Sequence, residues 1–188
     1  MNNRETFKLL SHLSQTVKAA VMTQTINLRR YQESDLEQCR SLWRELVEWH
    51  RKIYSDSSIG GDTPELFFDK HLVKVGADGV WVAAREDSVV GLIGLEIENE
   101  EGTIEPVIVS KNYRGQGVGK RLVEKAVDEA RKRGVKHLNV MPVVRNKRAI
   151  HFLHEMGFNN LGHVQLFMDL SGKKWKSSLK LYEEEFDF

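Results

Sequence analysis

TIEPVIVSKNYRGQGVGKRLVEKAV, residues 103–127, is the stretch that decides the fold. It reads as an apolar strand over 103–109, a short loop over 110–113, a glycine-rich turn over 114–119 and a helix from Lys120 to Arg133. A further strand follows over 136–141. Arg114, Gly117 and Gly119 carry the spacing R-x-x-G-x-G, with another glycine at Gly115. Glycine lets the backbone turn tightly and lets a ligand come close to it. The helix that follows opens with unpaired N–H groups and the positive end of its dipole. Strand, glycine turn and helix N-terminus in that order make an anion site suited to phosphate. The same pattern also describes a solvated strand-to-helix turn; the flanking apolar strand and amphipathic helix favour the anion site.

Two other phosphate motifs are excluded by single residues. A P-loop ending at Gly119-Lys120 requires glycine at 114 and Ser or Thr at 121, and both are arginine. A dinucleotide fingerprint starting at Gly115 requires glycine at 120, which is Lys; one starting at Gly117 requires it at 122, which is Leu.

Residues 26–170 resemble the GNAT superfamily of N-acetyltransferases, on the stretch quoted above and on NKRAIHFLHEMGFNNLGHVQLFMDL, residues 146–170. The first is similar to the family's acetyl-CoA motif, in which a strand ends in a bulge before R/Q-x-x-G-x-G/A. The second is similar to its Asn-x-x-Ala helix, its Gly-Phe and its closing strands. The resemblance implies an α/β fold: a mixed, partly splayed central sheet with helices on both faces. It implies that the backbone of Arg114, Gly115, Gln116, Gly117, Val118, Gly119 and Lys120 holds the pyrophosphate of acetyl-CoA. Val107, Ile108 and Val109 would offer backbone groups to the pantetheine arm, and Asn146 and Phe152 would flank the donor's far end. The two helices between 34 and 75, with their loop, would wall the acceptor site. That makes Tyr54 and His50 substrate-side candidates, with Arg51, Asp56 and Asp62 beside them; for each, plain solvated surface is the commoner role.

A chain of 188 residues suits one domain with a sizeable core, and 40% apolar with 29% charged residues is ordinary soluble composition. A net charge of +1 gives no reason to expect nucleic acid, and no apolar run has the length of a membrane span. The lone Cys39 excludes an internal disulfide and fits a reducing cytoplasm. It lies on an apolar helix stripe and reads as a buried thiol.

Three parts are expected. Residues 1–24 form an extension with apolar residues at helical spacing. Residues 25–170 form the domain. Within it, strands are expected over 26–30, 79–85, 88–98 and 135–143, and helices over 34–50, 65–75 and 146–156. Ser34 is the expected N-cap of the first helix, and Gly94 marks a bulge or a close backbone approach. A last hairpin is expected from 158–161 and 164–170 through Gly162-His163. Residues 171–188 are expected to pack through Trp175, Leu179 and Tyr182 on the domain or on a second subunit, as in a homodimer.

Acetyl transfer to an amine needs a base for the ammonium proton, a donor for the carbonyl oxygen and an acid for the thiolate. Bulged strands leave backbone N–H groups free for the second task. Pro106 supports an interruption but, standing early in the strand, does not locate the bulge. Glu105, a carboxylate on a strand expected to be buried on both faces, is costly unless paired or used, and is the candidate base. The alternatives are that it pairs with a neighbouring His or Arg, or lies at an exposed strand start. The family's acid is a tyrosine in Asn-x-x-Ala-x-x-Phe-Tyr, where this chain has Leu153. Tyr113, His151 and His154 are nearby in sequence without a compelling claim. No metal site is expected. The reading is acetyl transfer to a primary amine of a small molecule. Its alternatives are acetylation of a protein or peptide amine and a non-catalytic CoA-binding module.

Overall fold

The computed structural model describes residues 25–172, 175–176 and 179–188. The helix expected within 1–24 lies outside the described residues. Five strands form one sheet in the order β1 (Asn27–Arg30), β2 (Val80–Arg85), β3 (Ser88–Glu98), β4 (Glu101–Val109) and β5 (His137–Val140). The first four run antiparallel to their neighbours, and β5 runs parallel to β4. Between β1 and β2 lie helices α1 (Leu36–Tyr54) and α2 (Phe67–Val75); between β4 and β5 lies α3 (Val118–Lys132). Helix α4 (Lys147–Glu155) follows β5.

Period-2 alternation gives the sheet two apolar faces. Trp81, Ala83, Val90, Ile93 and Ile104 pack with Leu122, Val123, Ala126 and Ala130 of α3. Val80, Val82, Leu92 and Ile108 pack with Cys39 and Leu42 of α1 and Phe68 of α2. Burial pushes the Cys39 thiol up to about 12, so it stays protonated at neutral pH, as a buried core thiol should. The mixed sheet between helical layers is the expected fold class.

The N-terminus of α1 is built differently from expectation. Ser34 sits inside a short 3-10 turn, Glu33–Asp35. Asp35 does the anchoring instead: its carboxylate accepts from the Gln32 N–H at 2.9 Å and from Arg29 at 2.6 and 2.8 Å. A short, charge-assisted pair outcompetes a hydroxyl cap here. Helix α3 begins two residues earlier than expected, because Gly117 takes a left-handed conformation at its N-cap.

The expected closing hairpin over 158–170 does not form: that stretch holds no strand, and Leu161, Val164, Leu166, Phe167, Met168 and Leu170 are exposed. Alternation shows a capacity to pair but names no partner. Local contacts compete with pairing. Asp169 accepts from Trp175 Nε1 at 2.9 Å and from the Ser171 N–H at 2.8 Å, and the rings of Phe167 and Trp175 stand 5.0 Å apart. The C-terminal extension forms its own hairpin, β6 (Leu179–Leu181) with β7 (Glu184–Phe186). Tyr182, expected to pack, is exposed at its turn.

Candidate active site

The site starts where β4 changes partners. Its first half, Glu101 to Ile104, pairs with β3 on one side and with β5 on the other. At Glu105 the strand bulges. Ile93 faces Val107 and Leu95 faces Ile104, so Glu105 and Pro106 stand opposite the single residue Gly94. Pro106 does locate the bulge, contrary to the sequence expectation; it has no N–H to give the ladder. Gly94 is required there, since a Cβ would collide with the Glu105 carbonyl oxygen and with His71 Nε2. Beyond the bulge, from Val107 to Val109, the strand keeps β3, but the side that carried β5 has no strand among the described residues. This is the splay, and Val107, Ile108 and Val109 form its open strand edge.

The open half of β4 leads to the glycine turn. Gly115 and Gly117 take φ of +77° and +79°, which L side chains rarely adopt, and a Cβ on either would meet nothing within 4 Å. Arg121 N–H is the first to close on the turn, to the Gly117 carbonyl at 3.1 Å. Val118, Gly119 and Lys120 therefore present the orphan N–H groups of the first helical turn. Open space, positive φ and unpaired donors at the positive end of a 15-residue helix fit a pyrophosphate. Phe152 of α4 approaches the turn at Gly119, its ring Cζ lying 3.4 Å from where a Cβ would stand. Asn146, expected beside the donor, uses its side chain as the N-cap of α4, accepting from the Ala149 N–H at 3.2 Å.

The side chain of Arg114 is already engaged. It donates Nε to the Val109 carbonyl at 2.8 Å and Nη2 to Glu45 at 2.9 Å. The same Glu45 oxygen accepts the Lys111 N–H at 2.6 Å. Glu45 on α1 thus fixes the turn from the far side of the site. Sequence reading missed it, because one Glu among many on an amphipathic helix carries no signal of a partner 69 positions away.

Tyr54 ends α1 and His50 stands one turn before it, held below its ordinary pKa by burial. Arg51 pins the following loop by donating to the Ile59 carbonyl at 2.8 Å. Arg145, also missed, donates to the Tyr54 carbonyl at 3.3 Å and to the Phe188 carbonyl, and stands 4.5 Å from the Tyr54 ring and 5.5 Å from the Trp175 ring. It draws the C-terminal extension onto the end of α1.

Glu105 is exposed, so the expectation of burial on both faces is corrected: it stands at the bulge, where β4 no longer has β5 as a neighbour. No desolvation cost forces a partner on it. Its charge is felt at Lys74 of α2, which pairs with Glu96 at 2.7 Å. Leu153, in the place of the family's tyrosine, is buried in the core. His151 is exposed and lies 3.5 Å from Glu155, and His154 is exposed. Among the described residues no group of His, Cys, Asp and Glu is placed to hold a metal ion, and no helix is long and apolar enough to cross a membrane.

Comparison with known proteins points the same way. The pattern of the acetyltransferase (GNAT) family matches residues 43–158. An uncharacterized N-acetyltransferase of Methanocaldococcus jannaschii is 27% identical over 144 residues, which cover 73% of this chain and 62% of the relative. Streptothricin acetyltransferase of Streptomyces lavendulae is 36% identical over 103 residues, 55% of this chain and 49% of the relative. The chain thus spans less than two thirds of these curated relatives. In fold it is similar to the PaiA N-acetyltransferase of Thermoplasma acidophilum, solved with coenzyme A, at a TM-score of 0.62 and 20% identity, covering 71% of this chain and 89% of that one.

Proposed function

The chain belongs to the GNAT family of acetyltransferases, and from that premise we propose that it transfers an acetyl group from acetyl-CoA to a primary amine of a small molecule, by direct attack in a ternary complex. The observation that carries this reading is the continuity of the open half of β4 with the glycine turn. It offers one track: N–H groups for a pyrophosphate at one end, free strand edge along the middle, and an exposed carboxylate at the bulge. Acetyl-CoA, when bound, supplies the thioester. The backbone of residues 114–120 holds its pyrophosphate, the edge at Val107, Ile108 and Val109 orients its arm, and Phe152 flanks it. Glu105 accepts a proton from the ammonium, directly or through water, and so frees the lone pair that attacks the thioester carbonyl; the C–S bond then breaks, and the departing thiolate takes up, through water, the second proton that the new amide nitrogen sheds, since Leu153 offers none. Tyr54 and His50 face the acceptor. The small-molecule acceptor is supported by the relative that is a streptothricin acetyltransferase.

A second reading, a CoA-binding module without turnover, is favoured by the buried Leu153 where the family's acid would stand. Calorimetry with acetyl-CoA, followed by thiol release with a panel of amines, separates the two. The expected result is micromolar binding and amine-dependent release of free thiol. Binding without release for every amine, including peptide amines, would favour the module.

A further inference from the structure

His71 is buried, 7% exposed, and its Nε2 has no hydrogen-bond partner among the described residues. It projects from α2 towards the bulge: Nε2 and the Glu105 carbonyl oxygen both reach the point where a side chain on Gly94 would begin. The Trp43 ring lies 5.4 Å from the imidazole. A buried polar atom without a partner costs about 1–3 kcal/mol, and such atoms nearly always bond to protein or to ordered water. The position offers two polar neighbours for a water, the imidazole and a bulge carbonyl. It lies directly behind the residue read above as the base.

We propose that His71 is a positioning residue for acetyl transfer: its Nε2 takes up a water at the Gly94–Glu105 bulge and through it fixes the β4 backbone that carries Glu105 and begins the open edge at Val107. The inference rests on the acetyl-transfer reading only for its catalytic consequence; the bound water stands by itself. The imidazole is suited to this task because it stays neutral. Burial first, and then Lys74, lower its pKa to about 4, with Glu96 opposing them. Lys74 on α2 and Glu96 on β3 are the charges felt at the ring, and from β4 it is the Glu105 backbone carbonyl that reaches the same point. Above about pH 5 the ring can therefore give and accept hydrogen bonds without a charge that would disturb the strand. The sequence signal was available in principle: a histidine on the inner face of α2, opposite the strand glycine. Nothing local says that the two meet.

The test uses the full chain with His71→Leu, which keeps most of the volume and removes both ring nitrogens, and His71→Asn, which keeps a polar atom. A purely structural role predicts that Leu is neutral or stabilising, because it removes an unpaired polar atom from the core. The positioning role predicts three results for the Leu variant: thermal stability kept, acetyl-CoA Kd within twofold, and kcat about tenfold lower, with His71→Asn recovering at least a third of the loss. A Leu variant with kcat within twofold of wild type would overturn the proposal. If the wild type binds acetyl-CoA but turns over no amine, the acetyl-transfer reading fails separately. A crystal structure at high resolution then decides. Water within hydrogen-bond distance of Nε2 and of the Glu105 carbonyl supports the proposal, and Nε2 bonded directly to a protein group or to nothing sinks it.

Discussion

Residues 101–104 and 105–109 belong to one strand but live in two environments. The first four pair on both sides, and Glu101 ties β5 down by accepting from His137 Nδ1 and Asn139 Nδ2, each at 3.0 Å. Of the next five, Glu105 and Pro106 form the bulge, and Val107, Ile108 and Val109 pair on one side only and run into the glycine turn. The bulge between them, set by Pro106 and permitted by Gly94, turns one kind of strand into the other. A closed half spends its backbone donors on a sheet, while an open half keeps them for a ligand. Substitutions in the closed half should therefore move stability, and substitutions in the open half should move binding and rate.

The largest expected effect falls at the junction. Glu105→Gln removes the proton acceptor and leaves the strand's course unchanged, because the side chain is exposed. Turnover should fall by roughly 10²–10⁴ in kcat while acetyl-CoA affinity stays nearly intact, with partial recovery at high pH where more amine is neutral. Steady-state kinetics from pH 6 to 10 would show it. A variant with near-normal kcat at neutral pH would remove Glu105 from the role and point to a group from residues 50–62 or to a water chain.

Next comes the far end of the open half. Gly117→Asp puts a carboxylate where a pyrophosphate is expected and a Cβ on a backbone at φ +79°. Affinity for acetyl-CoA should drop by at least ~2 kcal/mol, more than a typical surface change. Calorimetry on a variant whose far-ultraviolet spectrum matches wild type is the measurement. Unchanged affinity would move the donor site elsewhere.

Much of this division was legible in the chain. The strand, the glycine turn and α3 are local patterns, and so is Gly94 as an irregularity within β3. What was not legible depends on register. Pro106 alone cannot tell which residue faces it; only the pairing of Ile93 with Val107 and Leu95 with Ile104 does. Glu45, His71 and Arg145 act through partners far along the chain, and no spacing rule reaches them. The stretch 158–170 failed for the opposite reason. Its alternation reads as pairing, whereas no strand forms there and, near its end, Phe167 and Asp169 contact Trp175 instead.

Acid should probe the junction from behind. Burial holds His71 down to about 4 and keeps His50 below its ordinary value. In the unfolded chain both protonate near ~6.5. Between these values the unfolded state binds more protons, so this stability is complete above about pH 6.5 and is lost as pH falls towards 4. The loss should be on the order of 2 kcal/mol, read from urea unfolding at pH 7 and pH 4.5. Asp35, whose carboxyl Arg29 holds below the usual range, stays ionised through that window and does not confuse the comparison. His71→Leu should flatten most of the slope; an unchanged slope would mean that burial of His71 is not what sets it.

The smallest effect tests the contrast most sharply, because it pairs two glutamates that anchor opposite halves of the strand. Glu101→Ala loses the contacts to His137 and Asn139, which are exposed, so it should cost under ~1 kcal/mol of stability and leave acetyl-CoA binding alone. Glu45→Ala loses the acceptor for the Lys111 N–H and the partner of Arg114, both of which hold the loop before the glycine turn. Two consequences oppose each other. A less anchored turn should bind acetyl-CoA more weakly, by about 1 kcal/mol, the scale of a charge-assisted hydrogen bond. Removing a negative charge near a polyanion should strengthen binding, but that gain is long-range and screened, since the Debye length is ~8 Å at physiological salt. The geometric loss should therefore win at 0.15 M salt and grow as salt is raised, while at low salt the two should nearly cancel. Glu45→Gln keeps an oxygen for Lys111 and loses only the charge, so its affinity should fall less and follow salt more closely. Titrations of all three variants at low, physiological and high salt would separate these terms. Equal affinity losses for Glu101→Ala and Glu45→Ala would break the division of β4 into a closed and an open half.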